Sequence, residues 1–452
     1  MTGTRAHDPP PGYARVWGLA WPIILSNLSV PLVGAVDTAV MGHMPDPAYI
    51  GAVAIGASLF SVLYWGFGFL RMGTTGFVSQ AFGVGDGGEI RVALQRALIL
   101  ALGLGGLLWL LQWPIATIAF AVIDGSESVE TFARAYFDIR IWSAPAVLAN
   151  YALLGTLIGL QNTRAVLVHQ LVLNGTNIGL DLLFVPVLGW GVEGVALASV
   201  IAEFTAVALG LWLILRQLRL LPPATRVPRV FERDALLALL AVNGNIMIRT
   251  LCLVGCFFWF AASGARIGEL ELAANAVLIQ LLFFLSYGLD GFAHAAEGLA
   301  GSAWGRRSRT HFAAAVRTTT VSAFGVAVAF TAAYATLGGV FITAMTDLDD
   351  VRAAATTYLP WMIAAPLVAV WSFQLDGIFI GTTRTVEMRN AMLISTGLFL
   401  LAVWWLVPPL GNHGLWLALM LFLAVRALTL GRYLPRLYRW LHAHSPPPPG
   451  SG

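Results

Sequence analysis

The sequence predicts an all-α membrane protein with twelve transmembrane helices in two parallel six-helix repeats. Composition, the length of the apolar segments and an internal repeat each support this fold class. Of the 452 residues, 58% are hydrophobic and only 11% are charged. A soluble protein carries about 25% charged residues because its surface must face water. This chain is therefore expected to face lipid over much of its surface.

The apolar residues form long runs that end at glycine, proline or charged residues. A helix needs about 20 mostly apolar residues to cross ~30 Å of hydrocarbon, whereas the strands of a membrane barrel would alternate over about ten residues. The runs favour helices. They predict spans near residues 14–41, 49–83, 93–122, 132–160, 165–189, 192–216, 236–263, 271–303, 312–343, 354–381, 391–409 and 413–433.

The longest polar stretch separates the sixth and seventh spans and reads RQLRLLPPATRVPRVFERD, from Arg216 to Asp234. It divides the chain into four predicted segments. They are an N-terminal six-helix lobe at 1–220, a cytoplasmic linker at 221–235, a C-terminal six-helix lobe at 236–440 and a disordered tail at 441–452.

The two lobes repeat each other in sequence. A shift of 222 residues aligns Gly42 with Gly264, Gly66 with Gly288, Gly76 with Gly298, Gly83 with Gly305 and Gly159 with Gly381. Because each lobe has an even number of spans, both lobes begin on the same side of the membrane. Parallel repeats of this kind occur in secondary transporters.

The arginines predict the orientation. All 26 basic residues are arginine, and nineteen of them lie at the termini or in even-numbered loops. Only Arg134, Arg266 and Arg352 lie near odd-numbered loops, and the remaining four fall inside spans. Because cytoplasmic loops carry the excess of basic residues, both termini are expected in the cytoplasm.

Polar side chains are concentrated inside the first half. Asp37 lies in the first span, and Ser199 and Glu203 lie four residues apart in the sixth. The fifth span carries Gln170, Asn174, Asn177 and Asp181, whose spacing of 4, 3 and 4 places them on one helical face. At ~1.5 Å per residue, the two aspartates and the serine all fall in the outer half of the bilayer.

Asp37 and Asp181 are thus predicted to share one pocket with amide and hydroxyl partners. A charged group at the bilayer centre costs at least ~2.5–3.5 kcal/mol on insertion scales, so each one calls for a reason. Two close carboxylates cannot both ionise cheaply, and a proton or a Na⁺ is expected to bind between them. The alternative is that these groups only pair across helices as packing contacts.

The second half has no equivalent set, since Asp37 aligns with Trp259 and Asp181 with Val403. Its charges lie nearer the cytoplasm. Together with Arg71 of the second span they form a possible gate between the lobes, made of Arg71, Asp290, Glu297 and Asp376. Static ion pairs or side chains that extend to the interface are the alternative.

Two further features concern single residues. Pro22 and Pro31 interrupt the span that carries Asp37, and because proline removes a backbone hydrogen bond they predict either a helix that bends during transport or a fixed kink. Arg249, near mid-depth in the seventh span, needs an acid or a carbonyl as partner.

Several classes of protein are excluded. The chain has no lysine, which excludes a P-loop, and it has no HExxH or GxSxG motif and no dense His/Asp cluster. We therefore expect no enzyme, no cofactor and no resident metal. The small net charge of +3 indicates membrane topology rather than a nucleic-acid partner.

Four motifs resemble the multidrug and toxic compound extrusion (MATE) family, most closely its DinF-like branch, the DNA-damage-inducible F proteins. They are PIILSNLSVPLVGAVDTAVMGHM, FLRMGTTGFVSQAFG, LDGFAHAAEG and LDGIFIGTTRTVEMRN, and the resemblance runs from about Trp17 to Arg436. It implies two six-helix lobes that form a V-shaped cleft, and export of drugs or toxic organic compounds in exchange for H⁺ or Na⁺.

The resemblance also implies the coupling residues. Asp37 matches the acidic residue of span one that binds the coupling ion, Asn177 and Asp181 match its fifth-span partners, and Ser199 stands where a relative has threonine. Second-lobe coupling is not expected, because span seven has Arg249 and no acid, and Asp376 is about two turns from the family position.

The expected function is a secondary active multidrug exporter, a substrate:H⁺ antiporter that works by alternating access. It is expected to act as a monomer in the lipid bilayer of the bacterial cytoplasmic (inner) membrane. Two alternatives stay open: a Na⁺-coupled exporter of the same fold with Na⁺ at Asp37 and Asp181, and a lipid-linked-precursor flippase.

Overall fold

The computed structural model describes residues 9–44, 46–122, 126–221 and 229–445, and these ranges are helical throughout, with short connections. The helices are α1 Tyr13–Met41, α2 Ala48–Trp65, α3 Phe69–Val84, α4 Gly87–Leu110, α5 Gln112–Val122, α6 Glu127–Arg140, α7 Ala144–Gly159, α8 Thr163–Phe184, α9 Val192–Leu218, α10 Arg233–Ile267, α11 Glu269–Gly305, α12 Arg309–Met345, α13 Asp349–Gly381, α14 Thr385–Leu410, α15 Asn412–Gly431 and α16 Leu434–His444.

The described helices account for the predicted spans. Eleven helices or directly continuous helix pairs are long and apolar enough to cross a membrane. Helix α8 has 22 residues, or about 33 Å at ~1.5 Å per residue, and is the most polar of the long helices of its half. It brings the number of spans to twelve. The fold class predicted from the sequence, an all-α membrane protein built from two repeats, is confirmed.

The third predicted span, 93–122, is divided in the structure. Helix α4 ends at Leu110, and α5 begins at Gln112. Pro114 lies in the first turn of α5 and has no backbone N–H to donate to the preceding turn. The division therefore follows from a proline that the apolar pattern alone did not take into account.

The same glycine contact recurs in both halves. A Cβ on Gly155 of α7 would lie 2.4 Å from the carbonyl oxygen of Arg71 on α3, and a Cβ on Gly377 of α13 would lie 2.3 Å from that of Ala293 on α11. Each of these contacts is followed one turn later by a second glycine contact, at Gly159 and at Gly381. Small residues spaced by four let helix backbones approach closely. The repeat seen in the sequence thus corresponds to one helix pair built twice.

Contacts divide the chain into two compact units. One contains Leu25–Ala238, and the other contains Leu239 onward together with the residues up to Ile24. Helix α1 therefore contributes to both units. In the second unit the first half of α1 packs on α11, where the rings of Trp17 and Phe292 meet edge to face at 5.0 Å.

The predicted segment bounds stay predictions. Residues 222–228 of the predicted linker lie outside the described residues, which resume at 229, and α10 begins at Arg233. Helix α16 extends to His444, and the rest of the predicted tail after 445 also lies outside the described residues.

Candidate ion-coupling site

Asp37 of α1 and Asp181 of α8 meet inside the unit formed by residues 25–238. Both side chains are buried, and their carboxyl groups are close enough to interact directly. Both oxygens of Asp181 and Oδ1 of Asp37 are buried, and they accept a hydrogen bond from no donor group of the described residues. Because two ionised carboxylates would repel strongly in such a place, the pair is suited to hold one cation, of which a proton is the smallest.

The polar face of α8 lies around this pair. Asn174, Asn177 and Asp181 are buried, whereas Gln170 is only half-buried. Asn177 donates from Nδ2 to Ser199 Oγ on α9 at 3.1 Å. The two predicted partners thus come together, one turn of α8 away from Asp181.

Asn174 connects α8 to α1. Its Nδ2 donates to Ser29 Oγ at 2.7 Å, and the Ser29 hydroxyl donates to the carbonyl oxygen of Ser26 at 2.6 Å. These bonds lie in the turn that precedes Pro31. Pro22 and Pro31 both lie within α1, which stays helical from Tyr13 to Met41.

Arg140, at the end of α6, is a functional candidate that sequence reasoning missed. Its Nη2 lies 3.9 Å from Glu203 Oε1, and its charge also acts on Asp37 and Asp181. Three acids therefore share one half-buried cation, which leaves an excess of negative charge for bound protons to neutralise. The position of Arg140 inside a predicted span could have indicated this role, because an arginine at membrane depth requires an acid nearby.

Glu203 continues the network toward the start of α8. Asn150 Nδ2 donates to Glu203 Oε2 at 2.8 Å, and Asn150 Oδ1 lies 3.1 Å from His169 Nε2. All three side chains are buried. The chain of polar groups from Arg140 to His169 extends about three turns of α8 from the carboxylate pair, and spacing along a single helix could not have identified it because four helices contribute.

The second unit has a different charge cluster. Asp376 of α13 accepts hydrogen bonds through Oδ2 from Arg249 of α10 and Arg426 of α15, and all three side chains are buried. Arg249, which lies near mid-depth in its span and therefore needs an acidic or carbonyl partner, thus pairs with Asp376. Asp290 is close enough to act on Arg426. An aspartate already paired with two guanidinium groups is poorly suited to hold a proton or Na⁺.

The predicted gate residues lie on three helices. Arg71 is half-buried on α3 in the first unit, whereas Asp290 and Glu297 lie on α11 and Asp376 on α13 in the second. Asp376 pairs within its own unit. A gate that joins the two units stays a prediction.

In the described residues, long apolar helices with buried ionisable side chains on several of them define a multi-pass membrane protein. A match to a family model identifies the family of membrane proteins. The MatE model matches residues 22–183 and 246–406, one copy in each repeat. The chain belongs to this MATE family, whose members are transporters and not enzymes, and the predicted resemblance is confirmed.

Relatives cover nearly the whole chain. DNA damage-inducible protein F of Escherichia coli (strain K12) is 43% identical over 94% of this chain and 92% of its own length. "Protein DETOXIFICATION 44, chloroplastic" of Arabidopsis thaliana is 25% identical over 93% of this chain and 82% of its own length. A "Probable multidrug resistance protein NorM" of Xanthomonas axonopodis pv. citri (strain 306) is 27% identical, with 93% and 94% covered.

Solved structures agree on the fold. A crystal structure of MATE in the bent conformation superposes with a TM-score of 0.85 at 19% identity, covering 95% of this chain and 96% of that chain. A crystal structure of MATE in the straight conformation gives 0.84 at 19% identity, covering 95% and 97%.

Proposed function

We propose that this protein exports lipophilic, often cationic compounds in exchange for protons. The observation that carries the proposal is the buried Asp37–Asp181 pair, in which three oxygens accept a hydrogen bond from no donor group of the described residues. The identity to DNA damage-inducible protein F and the name of the Xanthomonas relative support an exporter.

The pair provides a physical reason for exchange. With a proton bound, the site has one negative charge fewer and holds a cationic substrate less well. Without it, the negative charge attracts such a substrate into the low-dielectric interior. Proton and substrate therefore exclude each other, and alternating access converts this exclusion into antiport.

Protons fit this site better than Na⁺. A Na⁺ needs several oxygens at fixed distance, whereas a proton needs one basic oxygen in a dry place. The two buried carboxyl groups of Asp37 and Asp181 meet that need by themselves.

The membrane potential and the pH gradient together supply enough free energy for export. One charge that crosses 100 mV yields ~2.3 kcal/mol, and one pH unit adds ~1.4 kcal/mol. Together they support more than hundredfold concentration of a neutral substrate by single-proton exchange. Export of a monovalent cation for one proton is electroneutral, so it would draw on the pH gradient alone.

Three finer points belong to the same proposal. The protein acts in the bacterial cytoplasmic membrane, with both termini in the cytoplasm, as a monomer. Asp37, Asn177, Asp181 and Ser199 bind the coupling proton. Bending of α1 at Pro22 and Pro31 reports whether the proton is bound.

The test is transport by the purified protein in proteoliposomes, with a pH gradient and a Na⁺ gradient imposed separately. We expect uptake of a cationic dye to follow the pH gradient, to collapse with a protonophore and to be indifferent to removal of Na⁺. Transport driven by a Na⁺ gradient at equal pH would make the same residues a sodium site. Rescue of a cell-wall precursor defect without any dye transport would instead favour a flippase.

A further inference from the structure

An open groove lies on the second unit between α12, α13 and α15, and the start of α16 closes one end. Its volume is about 900 Å³. Its walls are almost entirely apolar, and several wall side chains are well exposed: Val321, Leu367, Trp371 and Leu428, the last at 73%. The three helices are membrane spans, so this exposed apolar face belongs to the bilayer.

One end of the groove is basic. Arg317 and Arg432 line it, and none of the described lining residues is acidic. Neither arginine forms an ion pair with an acidic side chain of the described residues. Just past this end, the guanidinium groups of Arg432 and Arg436 each lie 4.9 Å from the ring centre of Tyr433.

The wall also contains an unpartnered amide. Gln374 lines the groove, is 1% exposed, and neither its Oε1 nor its Nε2 has a hydrogen-bond partner in the described part of the chain. Buried polar groups are nearly always hydrogen-bonded, because leaving one unpaired is costly. This amide points to a ligand that offers both acceptors and donors near the apolar wall.

We propose that this groove is a binding site for an anionic phospholipid. The acyl chains lie against Val321, Trp371 and Leu428, and the phosphate lies between Arg317 and Arg432. Gln374 then donates to an ester or glycerol oxygen. Basic pockets between transmembrane helices are known to bind anionic headgroups.

Charge decides the lipid class. A zwitterionic headgroup would bring an ammonium group toward the two guanidinium groups, which repel it. A free phosphate would pair with the two arginines but leave the apolar walls of the groove uncovered. In the proposed orientation the basic end lies at the cytoplasmic surface, where anionic lipids are abundant.

The test is lipid retention by the full-length protein purified in detergent, measured by native mass spectrometry and by the thermal midpoint. The probes are phosphatidylglycerol, phosphatidylcholine and inorganic phosphate. We expect phosphatidylglycerol to remain bound and to raise the midpoint, and the other two to do neither. The double variant Arg317→Gln/Arg432→Gln should lose at least tenfold in affinity. Arg164→Gln/Arg233→Gln removes the same charge at exposed positions outside the groove and should bind as the wild type does.

A second variant keeps the proposal open to refutation if the double variant does not fold. Gln374→Leu removes the unpaired amide without changing charge, so it should fold at least as well as the wild type and bind phosphatidylglycerol less tightly. Wild-type binding by the folded double variant, equal retention of phosphatidylcholine, or stabilisation by phosphate alone would each overturn the proposal. The result does not depend on which ion or substrate is transported.

Discussion

Asp37 and Asp376 are both buried aspartates, yet replacing each with asparagine should have opposite consequences. Asp37 faces another acid, Asp181, whereas Asp376 faces two guanidinium groups, those of Arg249 and Arg426. We expect Asp37→Asn to abolish transport and to preserve stability. We expect Asp376→Asn to lower stability while the proton site itself is unchanged.

The loss of stability expected for Asp376→Asn follows from the ion pairs that Asp376 makes with Arg249 and Arg426. Removing one partner of a buried ion pair costs about 3–5 kcal/mol, because the remaining charge is left uncompensated. Here two buried guanidinium groups, of Arg249 and Arg426, would face a neutral amide. Their Nε atoms already lack partners among the described residues, and Asp290 would compensate part of the Arg426 charge. A thermal midpoint lower by several degrees is the expected result.

Replacing Asp37 with asparagine should not lower the stability of the protein. When the site holds no proton, the two carboxylates repel each other, and two unit charges of like sign about 4 Å apart do so by roughly 4 kcal/mol at an effective dielectric constant of 20. An asparagine removes that repulsion and supplies an N–H donor to Asp181, whose oxygens lack partners in the described residues. The thermal midpoint should therefore stay equal or rise. The exchanged proton, however, loses one of its two carboxylates.

Both variants can be compared in one experiment. The purified proteins are tested for thermal midpoint in detergent and for pH-driven dye transport in proteoliposomes. Asp347→Asn serves as the matched control, because Asp347 is fully exposed and its pair with Arg352 is expected to contribute little. Proton-driven transport by a folded Asp37→Asn protein would refute the coupling assignment. An Asp376→Asn protein as stable as the wild type would refute the account of the second cluster.

Three further predictions concern the network, the gate and the topology. Glu203→Gln leaves the Arg140 charge to act on Asp37 and Asp181 alone, so transport should need a more acidic medium to load the site; an unchanged rate–pH profile would contradict this. Arg71→Glu should weaken transport, and adding Glu297→Arg should partly restore it; if neither that reversal nor Asp290→Arg restores activity, the gate is wrong. The orientation can be tested in a protein in which Cys252 and Cys256 are replaced by serine. Asp347→Cys should react with an impermeant maleimide on intact cells, and Glu232→Cys should react only after permeabilisation. The reverse pattern would place both termini outside the cytoplasm.

The sequence by itself determined the fold class, the repeat and the family. Span length and hydropathy are local sums, so they can be read without knowing what each helix contacts. The spacing of Asn174, Asn177 and Asp181 is also local, because helix geometry alone places them on one face. Their partners on other helices were expected from depth, and the Asn177–Ser199 bond agrees with that expectation.

Only the tertiary structure decided which charges meet. The pairing of Arg140 with Glu203, and of Asp376 with both Arg249 and Arg426, joins residues 50 or more positions apart. Such pairings depend on how each helix is rotated about its own axis. In a membrane protein that rotation leaves a weak trace in hydropathy, because lipid-facing and core-facing positions are both apolar. The basic groove at Arg317 and Arg432 was hidden for the same reason: its apolar walls look like any other lipid-facing surface until three helices are placed side by side.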